Sequence, residues 1–150
     1  MIKKIITKKS RLRVKSSDVK DFERAIKIAK DMKDTLIANK GVGLAAIQIG
    51  VSKRIIWITT FNQTEKKSEL QLMINPFIEN DETHNFSDSQ ESCLSLPGKT
   101  GKIKRNMDVI VRYQNLKGDW LCSALWGQEA FVAQHEIDHL DGILITDKFF

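Results

Sequence analysis

Gln134-His135-Glu136-Ile137-Asp138-His139-Leu140-Asp141-Gly142 is the stretch on which the reading of this chain turns. It closes a segment, Gly127–Leu140, whose pattern predicts a helix ending at Asp141-Gly142. On such a helix His135 and His139 stand one turn apart on one face, about 6 Å between Cβ atoms, so both imidazoles can share one metal ion. Glu136, beside the first histidine, can reach a metal-bound water as a base. An HExxH pattern of this kind points to a metal site without fixing the enzyme class.

The third ligand discriminates between classes. One large class of metalloproteases places a histidine six residues after the second; here that position is Ile145. Another uses a glutamate well downstream, and none follows His139. The remaining candidates lie upstream: Cys93, Cys122 and His84. His84 sits in a polar stretch and reads as solvent-exposed. Cys122 alternates with Leu121 and Ser123 in a predicted strand and reads as a packing residue. Cys93 lies in Glu91-Ser92-Cys93-Leu94-Ser95-Leu96-Pro97-Gly98, a short turn-flanked segment that can hold a thiolate in fixed geometry. Two imidazoles and one thiolate leave a tetrahedral ion one open position, as in a catalytic rather than a structural site.

Moving outward, Ser17-Asp18 offers an N-cap for an amphipathic helix with Val19, Phe22, Ile26, Ala29, Met32 and Leu36 on its apolar face. Lys20, Arg24, Lys27 and Lys30 form its solvated face. The helix is expected to end near Asn39-Lys40, where Gly41 and Gly43 can take backbone angles other residues resist. Arg54–Thr60 and Leu70–Ile74 read as strands, the second stopped by Asn75-Pro76. Residues 79–91 read as polar loop and edge strand. Asp108–Asn115 and Trp120–Ala124 form a predicted hairpin across Leu116-Lys117-Gly118-Asp119. With no repeat and no linker, the chain reads as one domain over residues 1–150. Its fold class is α+β: mixed or antiparallel sheets around a central helix carrying HExxH.

Composition narrows the function classes. The chain has 150 residues, 41% hydrophobic and 29% charged, which excludes a disordered segment. No apolar run is long enough to cross a bilayer, so no membrane partner is expected. Residues 1–17 carry seven bases and no acid but lack the apolar centre of a secretory signal. Ile2, Ile5, Ile6, Leu12 and Val14 there read as an arm docked on the core. Net charge is +5; the bases are dispersed and match no helix-turn-helix or zinc-finger pattern, so no specific nucleic-acid binding is expected. Two cysteines do not make a disulfide framework, which places the chain in the reducing cytoplasm.

A further segment, Gly41-Val42-Gly43-Leu44-Ala45-Ala46-Ile47-Gln48, combines glycines that let backbone approach a ligand with an amide that could donate to a developing oxyanion. Read alone, it is equally a buried turn of small residues.

Taken together, Gly41–Gln48, Glu91–Ser95 and Gln134–Gly142 resemble, in order, the GxGLAAxQ, EGCLS and QHExDHLxG motifs of the peptide deformylase family. The resemblance spans nearly the whole chain. It implies removal of the formyl group from the N-terminal formylmethionine of nascent polypeptides, with release of formate. It implies Cys93, His135 and His139 as ligands of one divalent metal, usually Fe2+, with Zn2+ or Ni2+ accepted. Glu136 would be general base and then acid. Gln48 and the backbone N–H of Leu94 would form the oxyanion hole. Val42, Gly43, Phe131 and Val132 are expected to bind the methionine side chain. The implied partner is an N-formylmethionyl peptide, met in transient proximity to the ribosome, and the chain is expected to act as a monomer.

Three departures stand out. Ser92 replaces the family glycine before the ligand cysteine, where a serine either strains the backbone or is accommodated by new hydrogen bonds. Lys99 and Thr100 occupy a region where many relatives place an arginine. The chain stops soon after its third motif, without the C-terminal helix of longer relatives. Three alternatives compete with the resemblance: another amide-cleaving metallohydrolase, a binder that has lost turnover, and a basic nucleic-acid or ribosome binder.

Overall fold

A computed structural model describes residues 1–79 and 85–150. The candidate ligand His84 lies outside the described residues. Among the described residues seven strands, β1 (Gly43–Ala45), β2 (Ile55–Asn62), β3 (Lys67–Ile78), β4 (Phe86–Cys93), β5 (Leu96–Asn106), β6 (Asp108–Gln114) and β7 (Trp120–Trp126), form two antiparallel sheets. The larger has the order β1-β2-β3-β6-β7, and β4 pairs with β5 as a separate ribbon. Three α-helices accompany them: α1 (Lys9–Leu12), α2 (Phe22–Ala38) and α3 (Gln128–Leu140). The expected α+β class is therefore correct. Among the described residues no helix is long and apolar enough to cross a membrane.

Alternation along β2 decides how the layers stack. Ile56 and Ile58 point to one face, where they pack with Ala130, Val132, Ala133, Ile137 and Leu140 of α3. Ile55 and half-buried Trp57 point to the other, against Ala25, Met32 and Leu36 of α2. The histidine-bearing helix thus lies on one face of the large sheet. The ribbon closes over its other side, Arg105 of β5 being ion-paired to Asp138 of α3.

Helix α2 starts three residues later than the sequence suggests. Asp21, not Asp18, is the N-cap, its side chain accepting from the Arg24 N–H at 3.1 Å. Val19 is buried ahead of the helix, and Ile26 is 51% exposed because the buried stripe runs through Ala25, Ala29, Met32 and Leu36. At the other end Lys40, at φ 53°, takes the left-handed position expected of a glycine. Lys40 N–H bonds to Ile37 O and Gly41 N–H to Leu36 O, a Schellman ending. Gly41 and Gly43 are needed for close packing instead.

Asn75-Pro76 does not stop the third strand. Asn75 sits at φ 52° and the register shifts between Ile74 and Phe77, so proline occupies an irregularity where no ladder N–H is required. Strand β5 carries no readable apolar alternation and was not foreseen. The N-terminal arm docks through fully buried Leu12, whereas Ile2 and Val14 are 62% and 48% exposed.

Candidate active site and metal centre

Residue spacing on α3 sets the first part of the site. The His135 and His139 rings are neighbours, with centroids 5.2 Å apart and planes tilted by 53°. Cys93, the last residue of β4, brings its sulfur to 3.3 Å from His139 Nε2. Ligand atoms of Cys93, His135 and His139 all lie within 4.8 Å of one another, a group that could hold one metal ion. Cys122 is excluded from it. Contrary to the expected packing role, it is exposed opposite Arg112, because its side of the β6–β7 hairpin faces solvent.

Burial and charge suit this group to a cation. Burial, then the charges of His135 and Arg105, push the His139 pKa down to about 3, so its imidazole stays neutral with a free lone pair. At His135 burial opposes a positive charge, but Glu136, Cys93 and Glu91 outweigh it and raise the pKa to about 10. Surroundings that would hold a proton there also attract a dication. Two buried polar atoms at the cluster, Glu136 Oε2 and His139 Nδ1, have no hydrogen-bond partner among the described residues. An unsatisfied carboxylate oxygen beside three ligand atoms is what a metal-and-water site requires, and the residues fit the group the resemblance implies.

Two residues that sequence reasoning passed over support the ligands. Glu91 Oε1 accepts from His135 Nδ1 at 3.0 Å. Arg105, 2% exposed, donates to both Glu91 oxygens at 2.9 and 2.8 Å and to Asp138 at 2.6 Å. Lys148 also pairs with Asp138, at 3.0 Å. Burial opposes ionisation of Glu91, but the bonds from Arg105 and His135 hold its pKa down at about 2. An acid two residues before the candidate ligand cysteine was the only signal available. Nothing in the sequence marks Arg105, whose strand was not recognised.

The first motif enters through the 3₁₀ turn Ala46–Ile49. Gln48, 1% exposed, accepts the Ala45 N–H on Oε1 at 2.9 Å. Its Nε2 donates to Ser95 Oγ at 3.1 Å and points at Cys93 Sγ, 3.7 Å away. Leu94 and Ser95 form the turn between β4 and β5, closed by the Cys93–Leu96 pair. Gly43 brings β1 against α3: a Cβ there would meet Val132 Cγ1 at 2.8 Å and Glu136 Cγ at 3.1 Å.

These pieces surround a cavity of about 530 Å³. Val42, Gly43, Phe131 and Val132 line it, with Gln48, Leu94, His135 and Glu136. Val132 is buried and Val42 is 57% exposed, so the lining runs from an apolar floor to an open rim. Ser92 also lines it, as an exposed member of β4 paired with Thr100. Its φ is not in the left-handed region, which among the described non-glycine residues only Lys40, Lys66 and Asn75 adopt, so the backbone there stores no strain of that kind. Among the described residues its hydroxyl forms no hydrogen bond, so accommodation through new bonds is not seen either.

The sequence profile of the polypeptide deformylase family matches residues 2–149. The chain belongs to the peptide deformylase family. The peptide deformylase of Finegoldia magna is 40% identical over 139 residues, covering 91% of this chain and 82% of that one. Peptide deformylase from Thermotoga maritima superposes with a TM-score of 0.90 at 32% identity, covering 100% of this chain and 99% of that one. A Met-Ala-Ser-bound class I type b peptide deformylase from Acinetobacter baumannii gives a TM-score of 0.89 at 28% identity, covering 99% of both chains. Peptide deformylases remove N-formyl groups from nascent peptides, and this chain is a metal-dependent hydrolase of that family.

Proposed function

We propose that Cys93, His135 and His139 bind one divalent ion, Fe2+ in the native enzyme with Zn2+ or Ni2+ as substitutes, and that Glu136 carries the protons of formyl hydrolysis. Thiolate and imidazole donors suit each of these metals. The observation that carries the reading is the buried, unpartnered Oε2 of Glu136, a carboxylate whose Oε1 lies 3.6 Å from Nε2 of His135, one of the three clustered ligand residues. Burial, ahead of the opposing charge of His135, raises the Glu136 pKa to about 7, where a carboxylate exchanges protons readily near neutrality.

When bound, the ion supplies Lewis acidity and lowers the pKa of water. Glu136 takes the proton of the attacking water and returns it to the leaving amine nitrogen as the C–N bond breaks, giving formate and a free N-terminal methionine. Gln48 Nε2 and the Leu94 N–H donate to the carbonyl oxygen as it becomes an oxyanion. Val42, Gly43, Phe131 and Val132 receive the methionine side chain in the cavity. Met-Ala-Ser bound to the Acinetobacter relative supports a methionyl peptide as occupant. Residues 1–150 act as one catalytic unit, monomeric and cytoplasmic, meeting formylated chains near the ribosome.

Formate release from formyl-Met-Ala tests this reading. Glu136→Gln keeps the shape of the side chain and removes its proton acceptor. The variant is expected to retain its metal and lose at least ~10²-fold in kcat. Near-normal turnover would refute the role of Glu136, and Met-Ala-Ser cleavage in place of deformylation would refute the substrate.

A further inference from the structure

We infer that Ser95 is a positioning residue of the reaction: it pins the Gln48 carboxamide so that one Nε2 hydrogen is left aimed into the site. This rests on the reading of Gln48 as an oxyanion donor. Ser95 is fully buried and cannot touch substrate, so any effect it has on turnover passes through a neighbour.

Hydrogen-bond accounting identifies that neighbour. A glutamine carboxamide has one carbonyl oxygen and two N–H hydrogens. The Ala45 N–H binds Oε1 at 2.9 Å, which fixes which end of the group faces the β4–β5 turn. Ser95 Oγ accepts from Nε2 at 3.1 Å and engages one hydrogen. The second donates to Cys93 Sγ at 3.7 Å, a weak bond to a soft acceptor that holds this hydrogen at the corner where the oxyanion would form. Held at both ends, the amide has no free torsion with which to turn from the reacting carbonyl.

The location of Ser95 adds a second consequence. Cys93, Leu94 and Ser95 are consecutive in one tight turn closed by the Cys93–Leu96 pair. One turn therefore carries a metal ligand, the Leu94 N–H donor and the acceptor that sets the Gln48 donor. Two donors arriving from different segments, the Ala46–Ile49 turn and the β4–β5 turn, are thereby held in mutual register. Without the Ser95 hydroxyl a buried N–H would lose its acceptor, and the amide would turn toward another partner. Small displacements of a reacting group are costly in rate.

The test is a double-mutant cycle on metal-loaded enzyme with formyl-Met-Ala, reading kcat, KM, metal content and Tm. Gln48→Ala is expected to lower kcat by about 10²-fold or more, as for other oxyanion donors. Ser95→Ala is expected to lower kcat about ten-fold, with KM and metal content close to those of the parent and Tm lower by a few degrees. In the Gln48→Ala background Ser95→Ala should cost nothing further, because its effect runs through the removed side chain. Parental kcat in Ser95→Ala, or a loss that adds in full to that of Gln48→Ala, would overturn the role of Ser95 and leave Gln48 standing. Parental kcat in Gln48→Ala would overturn the reading of Gln48 and this inference with it. Should Ser95→Ala fold poorly, Ser95→Cys, similar in volume but a weaker acceptor, carries the same comparison.

Discussion

Glu91 Oε1 lies 3.0 Å from His135 Nδ1, and the same carboxylate is gripped on both oxygens by Arg105. An ionised carboxylate only accepts, so Nδ1 carries a hydrogen, which leaves Nε2 as the nitrogen that would take the proposed metal in place of a proton. Arg105→Ala would leave the buried Glu91 and its neighbour Asp138 without their common counter-charge. Loss of about 3–5 kcal/mol in stability and weaker metal retention are expected. Urea unfolding and metal content after mild chelation check this; a variant matching the parent in both would show that Arg105 does not hold the ligand sphere.

Cys93 and Cys122 should behave oppositely. Cys93→Ser removes a thiolate from the three-ligand cluster and is expected to lose most bound metal. Cys122→Ser changes an exposed side chain on the outer face of β7 and should keep it. Atomic absorption on both purified variants decides, and equal metal content in Cys93→Ser and parent would remove Cys93 from the site.

Gly43→Ala probes the approach of β1 to α3. The added methyl would sit 2.8 Å from Val132 Cγ1 and 3.1 Å from Glu136 Cγ, so α3 or the strand must yield. Destabilisation of about 1–3 kcal/mol is expected, with a fall in kcat/KM because Glu136 itself is displaced. Parental kcat/KM would show that the site absorbs the methyl without moving Glu136.

Ser92→Gly restores the residue of the family motif. Ser92 pairs with Thr100 at the edge of the register shift between Ser92 and Cys93 and takes no left-handed backbone, so glycine relieves no strain of that kind there. It adds conformational freedom to a strand, and stability should fall by about 0.5–1 kcal/mol. A higher Tm for the glycine variant would contradict this.

Asp147 gives a pH signature. Hydrogen bonding from Arg13, ahead of the opposing effect of burial, lowers its pKa to about 2 in the folded chain. The unfolded value is near 4, so the pair contributes stability above about pH 4 and loses it as pH falls toward about 2. Asp147→Asn should therefore lower Tm at neutral pH, with the gap to the parent closing across that window. A gap unchanged at about pH 2 would assign the effect to something other than the ionised pair.

Local spacing by itself determined the histidine pair and its adjoining glutamate, because 3.6 residues per turn puts positions 135 and 139 on one face wherever the helix packs. It also determined the β6–β7 hairpin and the class of the fold, which follow from alternation and turn chemistry over short ranges. Three things were left to tertiary structure. The turn-flanked segment around Cys93 already favoured it over Cys122, but bringing its sulfur to the histidines required β4 to end against α3, and the exposure of Cys122 required that side of β7 to face solvent. Recognising Glu91 and Arg105 required the pairing of β4 with β5, strands whose buried positions mix Ser89, Glu91 and Arg105 with Leu96 and Ile103 and so lack the regular apolar alternation by which strands are read. The work of Gly43 lay in what stands across from it rather than in its own torsion angles. Periodicity reports which way a side chain points, and only long-range packing supplies what it points at.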